Sequence, residues 1–150
     1  GNIKLHLAAE HMLDALFEER LEADDLLPIG EEGTHLLVET SYFNPPMDLK
    51  GMLKRIQAKG YHPLLAHPER YVYMDERDYH ELKDLDIKFQ LNVPALASMY
   101  GERVQKKAQQ LLKSGMYTCM GNDTHTYRFF ASLLDAKLPE KELEKLSEMK

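Results

Sequence analysis

Apolar residues along the chain fall into two alternating patterns. Continuous apolar runs occur in "IKLHLAAE" (3–10), "HLLVET" (35–40), "PLLAH" (63–67), "IKFQLNV" (87–93) and "MYTCMGND" (116–123). Such runs suit strands buried on both faces, as in parallel sheets. Between them the period lengthens. Leu49, Met52, Leu53 and Ile56 recur at i, i+3, i+4 and i+7, the stripe of an amphipathic helix, and Gly60 follows as a stop. Val104, Ala108, Leu111 and Leu112 draw a similar stripe ended by Gly115; Tyr79, Leu82 and Leu85 draw a looser one. Pro139 opens a last helical stretch carrying Leu143, Leu146 and Met149, read as a terminal helix over 138–150 on the surface. Strand–helix alternation predicts βαβ units and hence an α/β fold with a parallel sheet or barrel.

The residues that end the predicted strands are chemically unusual. They are Glu10, Glu39, His67, Asn92 and Asp123, spaced by 29, 28, 25 and 31 residues. Each interval is about one βα unit. In a parallel barrel all strand C-termini lie on one face, where catalytic groups collect. Glu10, Glu39, His67 and Asp123 are therefore expected to converge, with His125 beside Asp123 in "GNDTH". Each has a plainer reading: a glutamate at a strand end is commonly just solvated, a lone histidine is commonly structural, and Asp123 could cap a helix or start a turn. Repetition at successive strand ends favours a site. The remaining histidines are read as structural or surface residues.

Carboxylate and imidazole donors without thiolate suit Mn²⁺, Fe or Zn²⁺. Two-metal sites with bridging carboxylates clamp in-line displacement at phosphorus. Arg70, three residues past His67, is placed to grip a phosphate through paired hydrogen bonds, and Arg128 to do so from the other side of the rim. The plainer reading of either arginine is a surface ion pair.

Composition narrows the class. A chain of 150 residues is read as one domain, 1–150, long enough to bury a core. A net charge of -6 argues against a nucleic-acid partner. A single cysteine excludes an internal disulfide framework and fits a reducing, cytoplasmic location. There is no apolar run of transmembrane length and no visible signal peptide.

The segments "AAEHMLD", "LLVETSYFNPP", "YHPLLAHPERY", "FQLNVPALASMYG" and "GNDTH" together resemble the PHP (polymerase and histidinol phosphatase) superfamily. More narrowly, they resemble its CpsB/YwqE-type bacterial tyrosine phosphatases of capsule and exopolysaccharide synthesis. The resemblance runs from about residue 3 to about residue 130. It implies a distorted (β/α)7 barrel with a trinuclear metal centre, often manganese, acting on the phosphotyrosine tail of a bacterial tyrosine kinase. Under it, Glu10 matches a ligand bridging two metals, and Glu39 and His67 complete the second. Asp123 matches a ligand of the first and His125 of the third. Arg70 matches a substrate-phosphate arginine, with Arg128 a looser match.

The family opens with His-x-His, which this sequence lacks. Five visible strands are also too few to close a barrel of seven or eight. The expectation is a partial barrel with its first strands missing, about two βα units or roughly 60 residues. The implied ligand set is then incomplete: about one ion held with useful affinity, little turnover, and an open sheet edge that promotes homo-oligomerisation. Two alternatives stand beside a metal-dependent phosphotyrosine phosphatase. One is a non-catalytic interaction or oligomerising domain. The other is a different PHP phosphoesterase, such as a histidinol phosphatase.

Overall fold

The computed structural model describes residues 1–149. Five parallel strands, β1 (Glu10–Met12), β2 (His35–Glu39), β3 (His62–Ala66), β4 (Lys88–Asn92) and β5 (Cys119–Gly121), follow chain order in the sheet. Helices α1 (Ala15–Glu22), α2 (Leu49–Ala58), α3 (Glu76–Asp84), α4 (Val93–Leu96), α5 (Glu102–Lys113), α6 (Tyr127–Leu134) and α7 (Glu140–Glu148) lie between and after them. The α/β class and the parallel sheet expected from the alternating pattern are therefore present. No helix among the described residues is long and apolar enough to cross a membrane. The chain divides into two compact units, residues 1–66 with 73–88, and residues 67–72 with 89–150.

In the first unit, β1 pairs with β2 and β2 with β3, with Glu10 opposite Leu37 and Val38 opposite Leu65. Leu36 and Val38 point into the core, while Leu37 and Glu39 share the other, half-buried face of β2. Strand β3 is buried from Pro63 to Ala66, as its unbroken apolar run predicts. Leu53 and Ile56, both fully buried, form the α2 stripe that covers this sheet, and burying each contributes about 1.5–3 kcal/mol. Lys59 caps α2, and Gly60 follows at φ 93°, the left-handed stop expected there.

The first strand differs from expectation. Residues 3–10 alternate Ile3, Leu5, Leu7 with Lys4 and His6, yet no strand forms before Glu10, and those three apolar side chains are more than four-fifths exposed. The ladder runs through Glu10–Met12 instead, so Glu10 begins β1 rather than ending it. Helix α1 lies outside the stripes read from the sequence. It buries only Phe17 and Leu21, too few to form a visible stripe, and its start is fixed by Asp14, whose carboxylate accepts from the Phe17 amide at 2.8 Å.

In the second unit β4 pairs with β5, Asn92 lying opposite Gly121. The α5 stripe buries Ala108, Leu111 and Leu112, and Gly115 follows at φ 67°. Strand β5 covers only 119–121 of the expected 116–123, and Met116 and Tyr117 are buried ahead of it. Helix α7 is mostly exposed and anchored by Leu146, as expected of a surface helix; position 150 of its predicted span lies outside the described residues.

Candidate metal centre

Parallel pairing staggers Glu10 and Glu39 rather than setting them side by side. Glu10 is level with Leu37, two residues short of Glu39, so the two are diagonal neighbours with Cα atoms about 7–8 Å apart. A glutamate side chain spans that offset. His67 is the residue after Ala66, so its peptide bond alone carries the imidazole to the C-terminal end of β3. One ligand atom from each of Glu10, Glu39 and His67 lies within 4.8 Å of the other two. Among the described residues no other His/Cys/Asp/Glu trio does so.

The donor set suits a divalent cation. Two carboxylates and an imidazole, each about 2.0–2.2 Å from an ion, would stand at most about 4.4 Å apart, so the observed spread closes with small side-chain rotations. Glu10 is exposed, Glu39 half-buried and His67 buried, which gives the group one open and one closed side. Tyr42 donates a long hydrogen bond of 3.5 Å to Glu39.

Backbone geometry at His67 is costly. It sits at φ 36°, ψ 54°, in the left-handed region, although Pro68 follows it. A residue before proline is normally driven to extended conformations, and the left-handed region costs a non-glycine residue about 1–2 kcal/mol. Local bonds hold the turn: the His67 amide donates to the Gln90 carbonyl at 2.9 Å, and the Arg70 amide to the His67 carbonyl at 2.9 Å.

The same turn, Pro68–Arg70, is bolted down by Glu69, a residue with no expected role. Its side chain is 1% exposed and accepts from the Asn92 amide at 3.0 Å and the Tyr117 hydroxyl at 2.8 Å. Burial pushes its carboxyl above the ordinary range, against the pull of those bonds. No periodicity marks a buried glutamate in advance; the signal was only its place inside "AHPERY".

Arg70 extends from this turn. Its Nη1 donates to Asp123 Oδ2 at 3.0 Å, and its guanidinium carbon lies 4.2 Å from the centre of the Tyr100 ring. Tyr100 is in turn held by Asn92, whose Nδ2 donates to its hydroxyl at 3.2 Å. Asp123 also occupies the left-handed region, at φ 47°. His125 is exposed, and its Nδ1 lies 3.4 Å from Asp123 Oδ1. Arg128, in the first turn of α6, is exposed, and among the described residues its guanidinium has no ion-pair partner. Ligand atoms of Glu10, Glu39 and His67 are thus brought together, and within the second unit Asp123 contacts both Arg70 and His125.

Comparison with known proteins identifies the family and the fold. A model of the family "Capsular polysaccharide synthesis, CpsB/CapC" matches residues 1–135. Tyrosine-protein phosphatase YwqE of Bacillus subtilis (strain 168) is 25% identical over 114 residues, 74% of this chain and 44% of that protein. A crystal structure from a study of YwqE from Bacillus subtilis and CpsB from Streptococcus pneumoniae, described as unique metal-dependent tyrosine phosphatases, superimposes with a TM-score of 0.72. That match has 20% identity over 94% of this chain and 60% of the other, which establishes a shared fold. The chain therefore spans less than two thirds of the length of either. From the family match over residues 1–135, the chain belongs to the CpsB/CapC family of capsular polysaccharide synthesis.

Proposed function

We propose that this chain carries the metal-holding part of a metal-dependent phosphotyrosine-protein phosphatase of the capsular polysaccharide system. One observation carries the reading: Glu10, Glu39 and His67, far apart in sequence, present ligand atoms within 4.8 Å of one another. The names of the relatives support the reaction class. Both compact units are read as parts of one PHP-type domain, and the strand–helix repeat as part of a distorted (β/α)7 barrel.

In this reading Glu10, Glu39 and His67 hold a divalent ion, Mn²⁺ before Fe or Zn²⁺. Such an ion, when bound, polarises a phosphoryl oxygen and acidifies water. The chain's own groups then bind and orient. Arg70 is pinned by a carboxylate on one side and the Tyr100 ring below, so its guanidinium is preorganised to meet a phosphate with little loss of side-chain freedom. Asp123 and His125 are the further ligand candidates, and Arg128 a second phosphate-binding cation whose exposed side chain must order on binding. The phosphorylated partner is a tyrosine-bearing protein chain, in the family's setting the tail of a tyrosine kinase.

The test loads the purified chain with Mn²⁺, measures bound metal, and offers a phosphotyrosine peptide against histidinol phosphate. Bound ion that is lost in His67→Ala, with the peptide preferred, supports the reading. Metal binding indifferent to His67→Ala, or preference for histidinol phosphate, overturns it.

A further inference from the structure

A cavity of about 390 Å³ lies within the first unit, between the segment 45–50 and the start of α3. Its apolar wall is Met47, Leu49, Tyr73, Met74 and Leu82. The volume sits at the small end of ligand pockets, which run from about 300 to about 1,000 Å³, so it holds one side chain rather than an extended ligand.

Two of the charges around it are paired with opposite charges, and the third, Asp78, is bonded to a backbone amide. Asp48 accepts from the Gly51 amide at 3.2 Å and from Arg55 at 3.1 Å. Lys50 is paired with Glu81, and Asp78 accepts from the Asp75 amide at 2.9 Å. An anion would enter beside the Asp78 carboxylate without a counter-charge, whereas an uncharged apolar group matches the wall. Two methionines on the wall favour an aromatic ring, through sulfur–ring contacts and their adaptable shape. Met47 is fully exposed while Met74 is buried, so one stands at the mouth and the other at the floor.

The cavity is also tied to the candidate centre through the chain. The Tyr73 hydroxyl donates to the Ser41 carbonyl at 2.9 Å, and Ser41 is two residues past Glu39. Two residues span at most about 7 Å.

We propose that this cavity takes one uncharged aromatic side chain of a polypeptide substrate, close in sequence to the residue that carries the phosphate. Only the identification of the polypeptide as a phosphoprotein rests on the phosphatase reading above. Such a pocket would separate protein substrates from small phosphate esters, which have nothing to place in it.

The experiment uses the full chain with ¹³C-methyl methionine and follows the methyl signals in NMR titrations with N-acetyl-phenylalaninamide and N-acetyl-lysinamide. Expected is a saturable shift of Met47 and Met74, in the millimolar range, with the aromatic amide only. In Met47→Glu the aromatic amide should bind about tenfold more weakly, since a carboxylate replaces apolar surface at the mouth. Met47 is solvent-exposed, so the variant keeps the fold, and an unchanged thermal unfolding midpoint verifies this. Absence of shifts at Met47 and Met74, equal response to the lysine amide, or unchanged affinity in Met47→Glu would overturn the proposal. No arm needs metal or turnover, so failure here is distinct from failure of the phosphatase reading.

Discussion

Arg70 donates to Asp123 across 53 residues of sequence at 3.0 Å, with both side chains less than one-fifth exposed. This pair ties the turn after β3 to the loop after β5. At such burial it is worth more than the fraction of a kcal/mol typical of surface pairs. A double-mutant cycle of Arg70→Gln and Asp123→Asn should give a coupling of about 1 kcal/mol, read by urea unfolding. Strictly additive effects would show that the pair is decorative.

Glu69 should be the more sensitive position. Replacing it with alanine strips two buried donors, the Asn92 amide and the Tyr117 hydroxyl, of their acceptor. The expected loss is about 2–4 kcal/mol, against about 1 kcal/mol for Tyr117→Phe, which removes a single bond. Denaturant midpoints of the two variants, compared at constant m-value, decide between a bolt and a bystander.

Metal should act as a ligand of the folded state. Mn²⁺ at about 100 times its Kd is expected to add about 2.7 kcal/mol and to raise Tm by several degrees. Glu39→Gln keeps the shape of the trio but removes one charge, and should abolish most of the shift. A shift that survives in Glu39→Gln would place the ion elsewhere.

His35 gives a pH signature independent of the metal group. Burial, then the Lys88 ammonium, then His62 hold its imidazole below the ordinary 6.5. In the fold the neutral ring accepts from Lys88 at 3.2 Å. Above 6.5 the ring is neutral folded or unfolded and its contribution is fully present. As pH falls below 6.5 the unfolded chain takes the proton first, so stability is lost through the depressed folded pKa. His35→Gln should flatten the dependence of Tm on pH in that window; an unchanged slope would remove His35 as the cause.

The parts of the fold legible in the sequence were those whose pattern reports packing directly. Strands β2, β3 and β4 stood where apolar runs met polar stops, and α2 and α5 where stripes ended in glycine. Residues 3–9 carried a strand-like alternation but formed no ladder beyond a single bond from the Ala9 amide to the Leu27 carbonyl, because a strand needs a neighbour along its length and the alternation alone provides none. Helices α1 and α6 were announced by single capping side chains, Asp14 and Thr126, which are common in turns as well. In the candidate site, Glu39 and His67 followed from their positions at strand ends. Glu10 joined them although it opens its strand, because its side chain reaches forward along the sheet. The Arg70–Asp123 pairing and the burial of Glu69 depend on contacts tens of residues apart, which no local pattern encodes.

The spacing of the parallel ladders also bears on how the protein folds. Glu10 meets Leu37, His35 meets His62 and Gln90 meets Cys119, so each pairing closes a loop of nearly the same length. Closure entropy grows only with the logarithm of loop length, so no ladder has a head start from topology. The Glu10, Glu39 and His67 ligands converge only after two such loops have closed. An ion cannot gather them early enough to seed folding. It should instead leave the folding rate nearly unchanged and slow unfolding, making the ion a brake on escape from the native state.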